Sequence, residues 1–334
     1  MNTIVTWMYC SPPGENILHA QVGKFSSSMR VQNYYWRCVF VLFESSNRLN
    51  DGARHLLFVN QRPPVEIDGI KTSDLISHFN IEVIEFPTIT KSPENYYGSW
   101  NTQFIVIDVL DWLSRNVLDD DVILILDSDI VFNKSLDNLF YEELKCHKAL
   151  LYSIDYSKSH VINGLTKSDL LEIAKDIDPD FSEIEFTYSG GELICCLGSQ
   201  VEKIAKIARK TYEICIQRYF EEKIKFNEEA HLLSYVYAKM GYSTHTANMF
   251  LKRIWTDRSV HSNVDGREKD LVLWHLPAEK KTGFVKMFRS LKLIDGVYAA
   301  PAVRAAKIYR LEENFVSKLE RLTKTFIRWI LRRR

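Results

Sequence analysis

The sequence lacks the features that mark several broad classes of protein. Its 43 lysines and arginines balance its 43 aspartates and glutamates, so no chain-wide basic surface indicates nucleic-acid binding. No apolar run approaches the length of a bilayer-spanning helix, and no internal repeat or low-complexity linker is visible. The chain begins with a strand-like segment at residue 3, so no signal peptide is visible either. With 334 residues, we expect one large α/β domain or two small ones.

The six cysteines show no C-x-x-C spacing. Cys195 and Cys196 are adjacent inside an apolar run, where neighbouring thiols are more often buried than bridged or metal-bound. This usage predicts reduced thiols and a cytoplasmic setting.

The first half of the chain alternates predicted strands and helices. Strands are predicted at 4–9, 55–59, 81–86 and 122–126, and helices at 28–47, 73–79 and 101–115, with Ser73 as a helix cap. Such alternation predicts a mainly parallel sheet flanked by helices. The second half adds predicted strands at 149–154, 193–197 and 271–275, and helices at 168–185 (passing into a loop), 200–220 and 226–241.

The functional prediction depends on Asp127-Ser128-Asp129, directly after the apolar run 122–126. A buried strand cannot carry two charges in its middle without a partner. The carboxylates must therefore lie where the strand emerges, at the sheet edge where open α/β folds bind ligands. Adjacent carboxylates are hard oxygen ligands that suit Mg²⁺ or Mn²⁺, and such an ion stabilises a departing diphosphate.

Asp-Ser-Asp after an apolar strand resembles the DxD motif of GT-A-fold glycosyltransferases. The segment from His275 to Lys281 is similar to the H-x-x-G-x-x-K segment of glycosyltransferase family 8, although Ala278 stands where that family has glycine. The resemblance implies a GT-A fold, with Asp127, Asp129 and His275 as metal ligands. It also implies that Lys281 and Ser128 contact the donor, Lys281 at its diphosphate.

Two further segments resemble family 8 more loosely. Ser189-Gly190-Gly191 is similar to a turn that places small residues under the donor sugar, which implies sugar contacts at Gly190 and Gly191. The segment 226–229 is similar to an acidic motif that precedes a helix in that family. It implies that Glu228 and Glu229 bind sugar hydroxyls or act as a general base or as the carboxylate facing the anomeric carbon.

The nucleotide is expected at the end of the first strand. Family 8 has Asp or Asn there, whereas this chain offers Thr6 and Trp7, and an indole can stack on a base. Asn101, at the start of the helix before the Asp-Ser-Asp strand, is a further predicted nucleotide or phosphate contact.

Each motif also has a structural explanation. The aspartates can end a solvated strand, His275 can be a hydrogen-bonded strand-end residue, and helix-start acids complement the macrodipole. Haloacid dehalogenase phosphatases also place D-x-D after an apolar strand, with Asp127 then the nucleophile and Asp129 the acid/base. They usually do so at the first strand, whereas here the pair follows the fourth, which favours the glycosyltransferase. A third alternative is a catalytically inactive sugar-binding scaffold.

The tail predicts a basic amphipathic helix over 315–334. Cations surround an apolar stripe that carries a tryptophan, a pattern typical of helices on anionic membrane surfaces; docking on the domain or in a dimer is the alternative. We therefore predict a catalytic domain at 1–295 and a helical appendage at 296–334, peripheral on the inner face of the cytoplasmic membrane.

Taken together, the sequence predicts a metal-dependent glycosyltransferase. It would use Mn²⁺ or Mg²⁺ to move a sugar from a nucleotide-diphosphate sugar to a saccharide or lipid-linked acceptor. By analogy with bacterial enzymes that carry such tails, we expect a role in surface polysaccharide or lipopolysaccharide synthesis. The nucleotide, the sugar and the anomeric outcome stay open at this point.

Overall fold

The computed structural model describes residues 1–15, 17, 22, 26–86, 90–98, 100–257, 259–294, 297–299 and 308–311. Its α-helices are α1 (Met29–Leu49), α2 (Thr72–His78), α3 (Val106–Leu113), α4 (Asn138–His147), α5 (Lys167–Ile177), α6 (Gly198–Phe220), α7 (Glu229–Lys239) and α8 (Gly283–Arg289). Its strands are β1 (Asn2–Met8), β2 (Arg54–Val59), β3 (Glu66–Ile67), β4 (Ile70–Lys71), β5 (Ile81–Glu85), β6 (Val122–Leu126), β7 (Ile130–Phe132), β8 (Ala149–Leu150), β9 (Leu193–Leu197), β10 (Leu251–Arg253), β11 (Thr256–Asp257), β12 (His261–Ser262), β13 (Leu273–His275), β14 (Lys292–Ile294) and β15 (Val297–Ala299).

A six-stranded sheet forms the centre, in the order β5-β2-β1-β6-β9-β8. The first four of these strands are parallel to one another, whereas β9 runs antiparallel to both β6 and β8. The structure therefore confirms the predicted mixed, mainly parallel sheet. Parallel strands need crossover helices on both faces, which explains why these strands are near-continuous apolar runs.

Two hydrophobic cores cover the two faces of this sheet. Alternate side chains of β6 point to opposite faces: Leu124 and Leu126 join the core that contains α1 and α8, and Ile123 and Ile125 join the core that contains α3, α6 and α7. The predicted burial of the cysteine pair is confirmed, because Cys195 and Cys196 are free, buried thiols in β9. Of the six cysteines, all free, Cys146 in α4 is the exposed one.

Several predicted boundaries differ from the structure. The predicted helix at 101–115 is shorter, since α3 begins at Val106 and the preceding residues form turns. Ser73 is not the cap of α2, which begins one residue earlier with Lys71 as its cap, and the Ser73 hydroxyl donates to Asp74 instead (3.2 Å).

The strand predicted at 149–154 ends at Leu150. Beyond it, pairing with the segment before β9 continues only as an isolated bridge between Ser153 and Ser189, and side-chain oxygens accept from the amides on the opposite edge. The amide of Leu151 donates to Thr246 Oγ1 (2.8 Å) and that of Ser153 to Asn248 Oδ1 (2.9 Å).

The predicted helix at 315–334 lies outside the described residues, so that prediction stays open, as does the boundary at 295–296. Tyr309 and Leu311, which follow the predicted boundary, are buried in the core beside α1 and α8. Within the described part of the chain, no helix has both the length and the apolar character needed to cross a bilayer.

Gly198, the first residue of α6, packs against the loop before β6. Its amide donates to the carbonyl of Asp121 (2.7 Å), and a Cβ at this position would collide with the backbone carbonyl oxygen of Leu118. A glycine is required because the two backbones approach so closely.

We expect Gly198→Ala to lower the free energy of unfolding by about 1–3 kcal/mol, since a backbone atom cannot move aside as a flexible side chain can. Urea titration followed by circular dichroism measures this loss. The adjacent, exposed Ser199→Ala is the matched control, and we expect it to change the free energy of unfolding by less than about 0.5 kcal/mol. An equally small effect of Gly198→Ala would contradict the packing argument.

Candidate active site

The carboxyl end of β6 lies where the parallel and antiparallel parts of the central sheet meet. Leu126 at the end of β6 pairs with Leu193 at the start of β9. The residues that flank this pair, Asp127 and Glu192, are therefore neighbours, and the amide of Asp127 donates to the carbonyl of Glu192 (3.0 Å). The antiparallel strand thus adds a third acidic residue to the predicted aspartate pair.

A small second sheet brings a histidine and an arginine to the same point. After Ser128 the chain enters β7, which pairs with β13 so that Ile130 faces His275. In turn, β13 pairs with β10, so that His275 faces Arg253. The amide of Leu276 donates to the carbonyl of Asp129 (3.0 Å) and fixes this register.

Asp127, Asp129 and His275 form a group that could hold a metal ion, as the sequence predicts. One ligand atom from each lies within 4.8 Å of the others, and His275 Nε2 is 3.2 Å from Asp129 Oδ2 and 3.7 Å from Asp127 Oδ2. Ligands of a divalent ion at about 2.1 Å lie at most about 4.2 Å apart, so small side-chain movements suffice. Two carboxylates with one imidazole are a suitable ligand set for a divalent metal ion.

Behind this group, a buried ion pair fixes the orientation of the imidazole. Glu192 Oε1 lies 3.3 Å from His275 Nδ1, and Arg253 donates to both oxygens of Glu192 (2.8 and 2.6 Å). Although burial opposes ionisation, Arg253 and His275 lower the pKa of Glu192 to about 2. The ionised Glu192 therefore orients His275 so that its Nε2 faces the aspartates, as carboxylates behind metal-bound histidines commonly do.

The lysine of the site is Lys280, a neighbour of the one predicted from the sequence. Lys280 is buried, and its Nζ pairs with Asp129 Oδ2. Burial acts to raise the pKa of Asp129, but Lys280 and His275 hold that pKa well below its usual range. Burial and the nearby Asp129 carboxylate raise the pKa of Asp127. Lys281 is exposed and lines a different cavity, so the structure does not place it with the predicted diphosphate contacts.

Glu228 and Glu229 face the same cleft from the start of α7. Glu228 is buried and accepts hydrogen bonds from Tyr188 Oη (3.1 Å) and Asn163 Nδ2. Burial raises the pKa of Glu228 to about 7, and burial together with the neighbouring Glu228 raises that of Glu229 well above its usual value. Glu229 Oε2 is buried without a hydrogen-bond partner among the described residues.

The cleft that contains these groups has a volume of about 540 Å³. Eight of the predicted site residues line it: Trp7, Asp127, Ser128, Asp129, Gly191, Glu228, Glu229 and His275. Gly191 lies close under the acidic segment, since a Cβ there would be 2.9 Å from Glu229 Oε1.

Besides Lys281, three predicted residues do not line this cleft. Thr6 is buried and donates to the carbonyl of Leu126 (2.8 Å), and Asn101 accepts from the amide of Ser92 through its carbonyl. At Gly190, a Cβ would collide with the Glu192 carboxylate. Gly190 therefore makes room for the ion pair behind His275.

The sequence prediction missed Glu192, Arg253 and Lys280. The signal for Glu192 was present, since it is the acid that directly follows the glycine turn. Arg253 belongs to a three-residue strand with no recognisable pattern, and only the pairing of β10 with β13 reveals its position.

No protein-family model matches the chain, and no curated protein matches its sequence. Among solved structures, the bifunctional glycosyltransferase WbbM aligns with 92% of this chain over 51% of its own length, at 13% identity and a TM-score of 0.51. Apo GlyE, a glycosyltransferase of Streptococcus pneumoniae TIGR4, aligns with 97% of this chain over 63% of its own length, at 14% identity and a TM-score of 0.45. The galactosyltransferase LgtC, in complex with donor and acceptor sugar analogues, aligns with 92% of this chain over 95% of its own, at 11% identity and a TM-score of 0.46.

The likeness to WbbM confirms the predicted GT-A glycosyltransferase fold. The chain spans less than two thirds of GlyE and about half of WbbM. Because one fold hosts many activities, the function has to be argued from the site itself.

We expect Mn²⁺ to bind the wild-type chain with one equivalent per molecule in isothermal titration calorimetry. Asp127→Asn should weaken binding strongly, because it removes a charged ligand. Glu192→Gln should weaken it by about 10–100-fold, because it loosens the orientation of His275.

The control is Glu202→Gln, which removes an equal charge from the exposed face of α6 and should leave the affinity unchanged. If all three variants bound Mn²⁺ as the wild type does, the predicted metal site would be wrong.

Proposed function

We propose that the chain is a metal-dependent glycosyltransferase that moves a sugar from a nucleotide-diphosphate sugar to a saccharide acceptor. The observation that carries this proposal is the arrangement of one cleft. The group Asp127, Asp129 and His275 lies in the same cavity as the acidic pair Glu228 and Glu229. A diphosphate and the sugar attached to it need such an arrangement, with cations at one part and hydroxyl-binding groups at another.

The donor diphosphate belongs beside the aspartates. When bound there, a divalent ion neutralises the charge that develops on the departing diphosphate. Lys280, which pairs with Asp129, supplies a fixed cation at the same place, and preorganised charge of this kind lowers the barrier without reorganisation. Trp7, near the end of β1, and Tyr9, just after it, line the cleft and offer aromatic surfaces for the base.

The sugar and the acceptor hydroxyl belong near α7. Glu229 has a buried oxygen without a partner among the described residues, so it is free to accept a hydrogen bond from a hydroxyl group. Glu228 is held in place by Tyr188 and Asn163. With a pKa near 7, it can exchange a proton at neutral pH, as a general base must.

The proposed location and acceptor of the enzyme depend on the helix that the sequence predicts at the end of the chain. A basic amphipathic helix at 315–334 would hold the enzyme on an anionic membrane, on the inner face of the cytoplasmic membrane. There a lipid-linked saccharide in surface polysaccharide or lipopolysaccharide synthesis would be the natural acceptor.

A screen of nucleotide sugars, with and without Mn²⁺, tests the enzymatic proposal. We expect metal-dependent release of a nucleoside diphosphate from one donor, and thermal stabilisation by that nucleotide only when metal is present. Release of phosphate from simple esters would favour the phosphatase alternative. If the chain bound a donor but transferred no sugar to any acceptor, the result would favour the sugar-binding scaffold.

Lys280→Ala should lower the rate of metal-dependent donor cleavage by about 100-fold or more, because a fixed charge near the leaving group contributes mainly in the transition state. Lys281→Ala should change the same rate less than about twofold. The two variants therefore compare a lysine that lines the cleft with its sequence neighbour, which does not. A large loss in Lys281→Ala with little in Lys280→Ala would restore the sequence-based choice.

The rate of transfer at saturating metal and donor should depend on pH through Glu228. An ionised Glu228 is needed to accept a proton, and its pKa is about 7. The rate should therefore rise about tenfold per pH unit below pH 7 and level off above it. Glu228→Gln should be slower and lack this rise. An unchanged rise in the variant would assign the titration to another group.

A further inference from the structure

A second cavity lies between α1 and α8, with a volume of about 480 Å³. We name it the α1–α8 pocket. Its polar lining consists of Arg30, Asn33, Tyr34, Arg37, Lys281 and Arg289. None of these six residues lines the cleft of the proposed active site, so the pocket is a separate feature with four cations.

The helical repeat explains how these side chains converge. Positions 30, 33, 34 and 37 form one stripe along α1, and 281, 285 and 289 recur at four-residue spacing along α8 and the turn before it. Adjacent positions face the other way, since Tyr35 in α1 and Lys280 in the turn before α8 line the active-site cleft. Helix α1 and the turn before α8 thus contribute residues to both cavities.

A carboxylate from a hairpin fixes two of the four cations. The β3–β4 turn holds Asp68 in a left-handed conformation (φ 51°), and Asp68 accepts two hydrogen bonds from Arg37 (3.0 and 2.9 Å) and one from Arg289 (3.0 Å). Arg37 is 8% exposed. We name Arg37, Asp68 and Arg289 the Asp68 frame. Because its one carboxylate is shared between two guanidinium groups, the frame keeps a net positive charge.

The other two cations have no such partner. Arg30 and Lys281 are exposed and form no ion pair with any carboxylate of the described residues. Arg30 donates only to Tyr34 Oη (3.3 Å) within that part of the chain. The first turn of α1 carries no acidic residue, and Ser28 makes no side-chain cap, so the positive end of the helix dipole adds to the field.

We propose that the α1–α8 pocket binds a phosphoryl group, as a phosphate monoester or a diphosphate. The excess of positive charge in a concave site selects for an anion of high charge. Guanidinium groups recognise phosphate oxygens through paired hydrogen bonds, and a lysine adds a mobile point charge. The site shares no lining residue with the donor cleft, and it does not depend on the proposed glycosyltransferase activity.

Inorganic pyrophosphate is the probe, titrated calorimetrically into the full chain without divalent ions. The pocket variant carries Arg30→Gln and Lys281→Gln, two exposed changes that leave the Asp68 frame intact. We expect it to bind pyrophosphate at least about tenfold more weakly than the wild type, since the variant lacks two cations that can each donate charge-assisted hydrogen bonds to the phosphoryl oxygens. The matched control, Lys145→Gln with Lys286→Gln, removes the same charge from exposed positions outside the pocket and should bind as the wild type does.

Equal binding by the pocket variant and the wild type would overturn the proposal, as would a wild type that does not bind pyrophosphate. So would a loss that follows Lys280→Ala instead, because it would place the anion in the donor cleft. Vesicles then distinguish the source of the phosphoryl group. If vesicles that contain phosphatidic acid compete with pyrophosphate and pure phosphatidylcholine vesicles do not, the group belongs to a lipid headgroup. If neither competes, the pocket takes a soluble phosphoryl ligand.

Discussion

The balance of buried charge at the end of β6 is the constraint on which the rest of the site depends. Asp129 and Glu192 are both buried, and an isolated buried carboxylate is too costly to persist. Lys280, Arg253 and His275 supply the compensating charges. Burial alone would lower the pKa of His275, but Asp129 and Glu192 raise it to about 9. With Asp127 also ionised, three carboxylates then face three cations when no ion is bound. A divalent ion in place of the imidazolium proton would add one positive charge beside the aspartates, which favours an anionic diphosphate there.

The small sheet β10-β13-β7 brings these charges together. Its pairing of β7 with β13 joins segments more than a hundred residues apart, and each of its strands has only three residues. Strands this short carry no periodicity of their own, so the sequence predicts neither β7 nor β10, whereas β13 was predicted because it ends the apolar run 271–275. The central sheet was predictable because each of its long strands is an apolar run that stops at a polar turn. The boundary errors have two causes: residues 101–105 form turns and extended chain before α3, and at 151–154 the pairing of β8 with β9 is reduced to an isolated bridge.

The sequence predicted which side chains come together where they follow the ends of strands, but not where their position depends on which side of a turn faces the cleft. Asp127, Asp129 and His275 meet as expected, because strand ends position them. The choice between Lys280 and Lys281 depends on which side of a turn faces the cleft, and one residue of rotation changes the answer. Gly190 illustrates a different limit. Its small size suggested room for a sugar, yet the space is occupied by the Glu192 carboxylate, which only the folded chain reveals.

The distribution of the cysteines offers a practical consequence for spectroscopy. Five of the six thiols are buried, and Cys146 alone is exposed. Burial raises the pKa of the other thiols, to about 11 for Cys10 and Cys215 and about 12 for Cys196, and a thiol reacts as its thiolate. A maleimide dye at neutral pH should therefore attach at α4 alone. The native sequence thus provides a single fluorescent reporter on a helix that does not line the cleft, with no engineered residue required.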